Sequence, residues 1–411
     1  MRQINYGNIS VEKHFKMTKS NLTVPKQSKG NDPVLLVSDW LLQSGIQNTD
    51  ADPKFRGGVN AWYDLKKQTF PFIYSEITGY AVSAFLFIHH VLKGPIYLER
   101  AQLAANWLLR SRDPKYGFVV NRVYHPSEEK PYYDSWIFTF DQWMIIDGLC
   151  NLSGVTGDRS YLHGAQEIAD RLIQKTFRHD NYMYPAVNLE NGQVEAANDK
   201  WSRQPGSFHA KVLLGLNRLF NLTHDQKYLT HAFRLAERAC LDQKENGRFV
   251  TQINTGSTHL HPHCYTLEGI LFFGLSQNRQ SLIEASKKGL EWMLNSQHDD
   301  GTLYAFFQGD QFLPYERADI LAQILRLSAI MLGYFPEFQK FKPQLERLKK
   351  KMLSYQIKEG PQKGGFLYGQ EENGIIHDHA NAWVSLFALQ ALWLYDQSQT
   401  HDFKYDFSFF A

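Results

Sequence analysis

HPHCYTLEGILFFGL, residues 261–275, is followed five residues later by SLIEASKKGLEWMLNS, residues 281–296. Once past its opening histidines the first segment is apolar on nearly every side, whereas the second alternates apolar and charged positions at helical spacing. A helix that is apolar all round has to be buried, and a helix with one apolar stripe keeps one face wet. The two segments together read as one helical hairpin with a dry and a wet member.

The same pair recurs outward in both directions. Dry segments occupy 74–92 (YSEITGYAVSAFLFIHHVL), 135–152 (SWIFTFDQWMIIDGLCNL), 203–220, 315–332 and 377–395, and wet ones occupy 33–44, 97–111, 161–177, 228–243 and 341–355. The repeat is roughly 55 to 70 residues, and a fixed period is interpreted before any local motif. Wet segments are followed by FRGGVNAWYD (55–64), PKYGFVVN (114–121), HDNYMYPAV (179–187), ENGRFVT (245–251), HDDGTLYA (298–305) and KGGFLYG (363–369). Gly or Asn flanked by β-formers predicts short strands. A closed ring of hairpins buries every dry helix and leaves no open end unit. The expected fold is therefore all-α, an (α/α)6 toroid of six helical hairpins with short β-hairpin connectors. It occupies residues 31–397 as a single domain between a polar N-terminal arm (1–30) and a C-terminal tail (398–411).

Lys plus Arg is 44 and Asp plus Glu is 42, and the net charge of +2 gives no electrostatic case for nucleic acid or a membrane surface as partner. Apolar runs such as VSAFLFIHHVL (82–92) stop well short of the roughly 20 residues of a membrane span. With only Cys150, Cys240 and Cys264, and no apolar secretory core in the polar first residues, a reducing, cytoplasmic setting is expected.

Six dry–wet pairs with Gly-Gly and aromatic connectors resemble the six-hairpin glycosidase superfold, which includes uronyl hydrolases, N-acylglucosamine 2-epimerases and several polysaccharide lyases. The blocks GGVNAWYD (57–64), HPHCYTLEG (261–269) and HDHANAWVSLFALQAL (377–392) look closer to VpsJ-like polysaccharide-biosynthesis proteins and their glucuronyl-epimerase relatives. That resemblance implies a sugar or oligosaccharide substrate, and a role in making or remodelling a polysaccharide.

In a toroid the inner helices start around one mouth, where polar residues should gather. Glu76, Asp141 and Glu268 lie inside apolar runs, where an unpaired carboxylate is costly, and are expected as the acid/base groups. His209, His263 and His379 are expected to complete the catalytic set as proton shuttles or hydroxyl ligands. Six helix N-termini, each favouring an anion by roughly 0.3 to 1 kcal/mol, together with Arg203, Lys211 and Arg317, favour an acidic sugar; an amino sugar also fits. Trp62, Trp136, Trp201 and Trp383 can stack on sugar faces, and Tyr74, Tyr80, Tyr265, Asp319 and Asn381 complete the substrate-binding set. Hydrolysis needs a proton donor with a base or nucleophile, whereas epimerisation beside a carboxylate needs a base, a cation and an acid on the other face. The residues leave both open.

Three further readings are weighed against this one. His259, His261 and His263 project to one side only in an extended chain, and Pro262 marks a helix start, so no metal is expected. Cys264 beside His263 has the look of a nucleophile at a helix N-terminus, but adjacent helical positions diverge by about 100°. Neither GxGxxG nor GxxxxGK[ST] is present, so no organic cofactor is expected. Asp134, Glu316 and Asp378 read as helix caps. The rival functions are a non-catalytic sugar-binding or scaffold toroid, and a terpene- or prenyl-type toroid, which would need an Asp-rich diphosphate site.

Overall fold

Asp32 caps the first helix, its Oδ1 accepting from the Val34 amide at 2.8 Å, and from there outer and inner helices alternate. The computed structural model describes residues 32–411 apart from 129, 131, 132, 199, 401, 402 and 406; the expected arm (1–30) lies outside the described residues. In chain order the helices are α1 (Pro33–Gln43), α2 (Ser75–Leu92), α3 (Pro95–Arg110), α4 (Thr139–Thr156), α5 (Arg159–Thr176), α6 (Leu213–Thr223), α7 (Gln226–Cys240), α8 (Leu260–Ser276), α9 (Gln280–Asn295), α10 (Ala318–Tyr334), α11 (Lys342–Ser354) and α12 (Ala382–Gln397). A 3-10 turn, Ser207–Val212, leads into α6 just after Pro205 and Gly206.

The even-numbered helices form the inner ring. Each packs on the next, α2 on α4 and so on to α12, which returns to α2. The outer helices α3, α5, α7, α9 and α11 cover the inner helix before them, and α1 covers α12, so the two ends of the ring close one hairpin. The all-apolar composition of the inner helices produces this arrangement: in α4 every residue from Thr139 to Ser153 is buried. Close approach is set by small residues. A Cβ on Gly148 would lie 2.6 Å from the Gly79 carbonyl oxygen, so α2 and α4 meet at backbone contact.

Short strands precede every inner helix: β1 (Trp62–Asp64) and β2 (Phe72–Tyr74), β3 (Arg122–Tyr124) and β4 (Trp136–Phe138), β5 (Ala186–Asn188) and β6 (Val194–Glu195), β7 (Thr258–His259), β8 (Tyr304–Gln308) and β9 (Gln311–Arg317), then β10 (Phe366–Leu367), β11 (Gly369–Gln370) and β12 (His379–Asn381). They pair as β1-β12-β10, β11-β9-β8-β7, β2-β3 and β4-β5-β6. Trp62 opposite Asn381 ties the first connector to the last. The connectors thus join neighbouring hairpins on the face where the inner helices begin.

The segment after the last helix folds back onto the ring. Phe407, Phe410 and Ala411 are buried in the core, and their backbone carbonyls find donors there: Arg218 to Phe407 at 2.8 Å, Gln390 to Phe409 at 2.7 Å and Lys211 to Ala411 at 2.8 Å. The aromatic side chains drive the insertion, and three side-chain donors satisfy the backbone that enters with them.

Candidate active site

The first turns of the inner helices touch one another around the ring. Tyr74, ahead of α2, bonds Asp141 of α4; Phe140 of α4 packs on Phe208 and on Tyr265 of α8; His261 of α8 meets Asp319 of α10; Asp319 accepts from Trp383 of α12; and Trp383 packs on Trp62, ahead of α2. The site is built at this mouth.

Two carboxyls sit on one side. The Tyr74 hydroxyl donates to Asp141 Oδ2 at 3.0 Å and also faces Glu76. Glu76, in the first turn of α2, is half-buried. Burial pushes its carboxyl up to about 7, against the opposing pull of the Tyr74 and Tyr80 hydroxyls, Lys211 and Arg122. Burial and then the Glu76 charge push Asp141 well above the ordinary carboxylate range. Because the Glu76 charge is among the causes that raise Asp141, the two acids titrate as a pair. Arg122 of β3, whose register puts it opposite Tyr74, stays charged: burial opposes this, but Tyr74, Tyr124 and Asp134 outweigh it.

A second polar group faces them. His261 Nδ1 stands 2.7 Å from Gln323 Oε1 and 3.0 Å from Asp319 Oδ2, which fixes the proton on Nδ1 and leaves the lone pair on Nε2. Burial, then the charge of Arg317, holds this imidazole well below its usual range, and the same causes act on His259. Arg317 grips Asp319 with two nitrogens and reaches His259 Nε2 at 3.2 Å. The Tyr265 ring, 4.4 Å from His261, bridges the two sides, and its hydroxyl feels both Glu76 and Asp319.

Half-buried aromatics rim the recess. Trp62, Trp383, Tyr368 and His379 form one cluster, with His379 stacked on Tyr368 at 5.6 Å and lowered to about 4 by burial. Trp136 and Trp201 stand on the other side; Arg203 covers Trp136 and is held by Glu195 at 2.5 Å through both nitrogens. A groove lined by Lys54, Arg110, Arg112 and Tyr133 contains none of these residues.

Several expected site residues are placed elsewhere. Glu268 is not an available acid or base: fully buried in the third turn of α8, it pairs with Lys211 at 2.9 Å and Arg326 at 2.7 Å. Lys211 is spent on that pair and on Ala411, and burial lowers it to about 8. His263 faces the outer helix, packing on Trp292 and Phe249 with both ring nitrogens unpartnered, and burial lowers it to about 3. Its position two residues from both His261 and Tyr265, about 200° round α8, turns it into the seam with α9. Cys264 points to Met293 in the same seam, and burial raises its thiol, so it has no nucleophile's environment. His209 is fully buried, stacked on Phe208, with burial lowering it to about 3 and no carboxylate beside it. Asn381 is the cap of α12, accepting from the Val384 amide at 3.1 Å. Asp134, Glu316 and Asp378 are not caps, because Phe138, Arg317 and Asn381 occupy those positions. Among the described residues no group of three or more His, Cys, Asp and Glu is placed to hold a metal ion.

Arg122, His259, His261, Gln323 and Tyr368 enter the site without having been assigned to it from sequence. His259 and His261 were visible as polar residues opening an apolar helix; Arg122, in a short strand between Val120 and Val123, carried no comparable signal.

No family model and no curated protein matches the sequence. Solved structures do match in fold. Cellobiose 2-epimerase from Bacillus thermoamylovorans B4167 superposes with a TM-score of 0.70 at 13% identity, over 87% of this chain and 98% of that one. A D-mannose isomerase gives 0.72 at 11%, over 88% and 96%. The unsaturated glucuronyl hydrolase of Bacillus sp. GL1, responsible for the degradation of glycosaminoglycan, gives 0.63 at 14%, over 87% and 96%. Twelve alternating helices among the described residues and these neighbours show that the chain has the (α/α)6 toroid fold.

Proposed function

We propose that the protein is a carbohydrate-active enzyme that hydrolyses a glycosidic bond by acid/base chemistry at Glu76 and Asp141. The observation that carries this reading is the linkage of two carboxyls from neighbouring inner helices through one tyrosine hydroxyl. Hydrolysis asks for a proton donor and a base or nucleophile flanking the scissile bond, and two interacting carboxyls that are both raised from their ordinary range are suited to those roles. The rim tryptophans give sugar rings flat apolar faces to lie against. The fold neighbours, among them sugar epimerases, an isomerase and glycoside hydrolases, are compatible with either sugar reaction. The narrower resemblance to VpsJ-like proteins rests on three sequence blocks.

Epimerisation is the second reading, favoured by His261. Its Nδ1 is taken by Gln323 and Asp319, which leaves Nε2 as a proton acceptor, and Tyr265, whose ring packs on His261 and whose hydroxyl senses Glu76, offers a second proton-transfer group. Incubation with a panel of uronate-containing and neutral oligosaccharides in deuterated water separates the two. New reducing ends support hydrolysis; deuterium at a ring carbon without cleavage supports epimerisation; neither product from any sugar overturns the enzyme reading and leaves the non-catalytic toroid.

A further inference from the structure

The segment after α12 lies against the inner helices near their C-terminal ends, away from the mouth that carries the acids. Phe403 packs on Trp393 of α12, Tyr405 on Phe87 of α2 and Phe407 on Phe272 of α8. Phe410 reaches deeper and lies beside two cations, its centroid 4.2 Å from the Arg326 guanidinium and 5.4 Å from Lys211 Nζ. Ala411 is gripped from both sides: its amide donates to Gln390 Oε1 at 3.1 Å, and its carbonyl accepts from Lys211 Nζ at 2.8 Å. Lys211 links this segment to the site. Its ammonium stands 4.7 Å from the Tyr265 centroid, 5.0 Å from that of Tyr80 and 5.2 Å from that of Phe387, and the Tyr80 hydroxyl faces Glu76. The Glu268 carboxylate that also holds Lys211 is shared with Arg326, so Ala411 is the second anchor that fixes the ammonium among the rings.

We propose that the segment after α12 is a positioning element of the acid/base site: seated in the ring, it pins Lys211 against Tyr80 and Tyr265 and so holds a fixed positive charge near Glu76. This rests on the acid/base reading of Glu76 above and deepens it. The titratable and charged groups that act on Glu76, or feel it, are Tyr74, Tyr80, Arg122, Asp141, Tyr265 and Lys211. The first five belong to β2, α2, β3, α4 and α8; Lys211 alone is tied to the segment. Around Lys211 the charged groups are Glu268, Arg326 and Asp147. With the segment unseated, Lys211 loses the Ala411 oxygen and the Phe410 face, the opened end admits water to the ammonium, and its charge is screened from Glu76. Tyr80, Tyr265 and Phe387 stay in place between that water and Glu76, whose own burial is unchanged. Glu76 should then keep its proton to a higher pH.

The test follows the Glu76 carboxyl by NMR through a pH titration of the full chain, labelled with carbon-13 at its glutamate carboxyls, the Glu76 signal being the one missing from Glu76→Gln. Lys211→Met should raise the Glu76 midpoint by at least about half a pH unit. Phe410→Ala should raise it by a smaller amount, and Phe410→Leu, which keeps most of the bulk, should stay within about 0.2 of the wild type. Phe410→Ala added to Lys211→Met should move it no further, a non-additivity that a general loosening of the fold would not produce. If Phe410→Ala does not fold, Gln390→Met takes its part, because it removes the side-chain partners of Phe409 and Ala411 and leaves the Phe410 ring in place. A midpoint that Lys211→Met or the unseating variant leaves unmoved, or that the unseating variant moves equally with and without Lys211, overturns the positioning role. The titration needs no substrate, so these results leave the sugar-enzyme reading standing. With a saccharide that is turned over, the upper limb of kcat should shift in the same order as Glu76. A limb that stays in place while Glu76 moves upholds the positioning role and removes Glu76 from the reaction.

Discussion

The Tyr74 hydroxyl stands 3.0 Å from Asp141 Oδ2 and faces the Glu76 carboxyl as well, so one phenol serves two acids carried by adjacent inner helices. The helices approach closely enough for this because Gly79 and Gly148 meet one to two turns further down. A proton on either acid is therefore a property of the pair, and any reaction at the mouth draws on it.

Removing either acid should abolish chemistry and spare the fold. Glu76→Gln and Asp141→Asn are each expected to lower kcat by about 10²- to 10⁴-fold, the usual worth of a positioned proton donor or base. Tyr74→Phe should cost about tenfold, since the acids remain but their link is lost. Melting temperatures at pH 7.5 should stay level or rise, because each substitution removes a poorly solvated charge. Turnover in Glu76→Gln at the wild-type rate would take Glu76 out of the machinery.

Glu76 also sets a pH dependence of stability. Between its ordinary value of 4.5 and about 7 the folded chain keeps a proton that the unfolded chain has released. Stability should therefore be greatest below this window, fall as pH rises through it, and level off above about 7, by a total on the order of 3 kcal/mol. The raised Asp141 acts in the same direction. Denaturant unfolding at pH 4.5, 6 and 8 measures this slope, and Glu76→Gln should flatten most of it. If Glu76 supplies the proton in hydrolysis, kcat falls over the same upper limb.

His263 offers a contrast with His261 two residues earlier. Its two ring nitrogens are buried without partners against Trp292 and Phe249, an arrangement that costs stability. His263→Phe should keep activity within about threefold and raise stability by about 1 kcal/mol, as read by kcat and urea unfolding. His261→Phe should instead lose at least about tenfold in kcat/KM, because the Asp319 and Gln323 partners hold its ring toward the recess.

The ring of helices was legible in the sequence because burial writes itself into periodicity: an inner helix such as α4 has no wet face, and an outer one such as α7 has a full one. Glu76 and Asp141 stand out in the sequence for a related reason, being carboxylates inside apolar runs where nothing local pairs them, and the structure brings them near one another. The same reasoning misplaced Glu268. Its partners Lys211, in the 3-10 turn before α6, and Arg326, on α10, lie 57 and 58 residues away, so no local spacing announces them. Arg122 was missed because a three-residue strand has too little pattern to set one polar residue apart. The insertion of Phe407 and Phe410 was hidden because a short aromatic segment after the last helix has no period to read.

Glu268 carries a prediction that separates a structural ion pair from a catalytic acid. Its carboxylate is fully buried, with Lys211 on one oxygen and Arg326 on the other, and Arg326 lies between the rings of Phe387 and Phe410. Glu268→Gln leaves two buried cations short of a counter-charge, which typically costs about 3 to 5 kcal/mol. The variant should unfold at markedly lower urea, while any folded enzyme keeps the wild-type pH profile for kcat. Pairing Glu268→Gln with Arg326→Met removes one cation along with the carboxylate, and should recover at least about 1 kcal/mol of the loss. A Glu268→Gln variant of wild-type stability with a displaced pH profile would instead return Glu268 to the acid/base set.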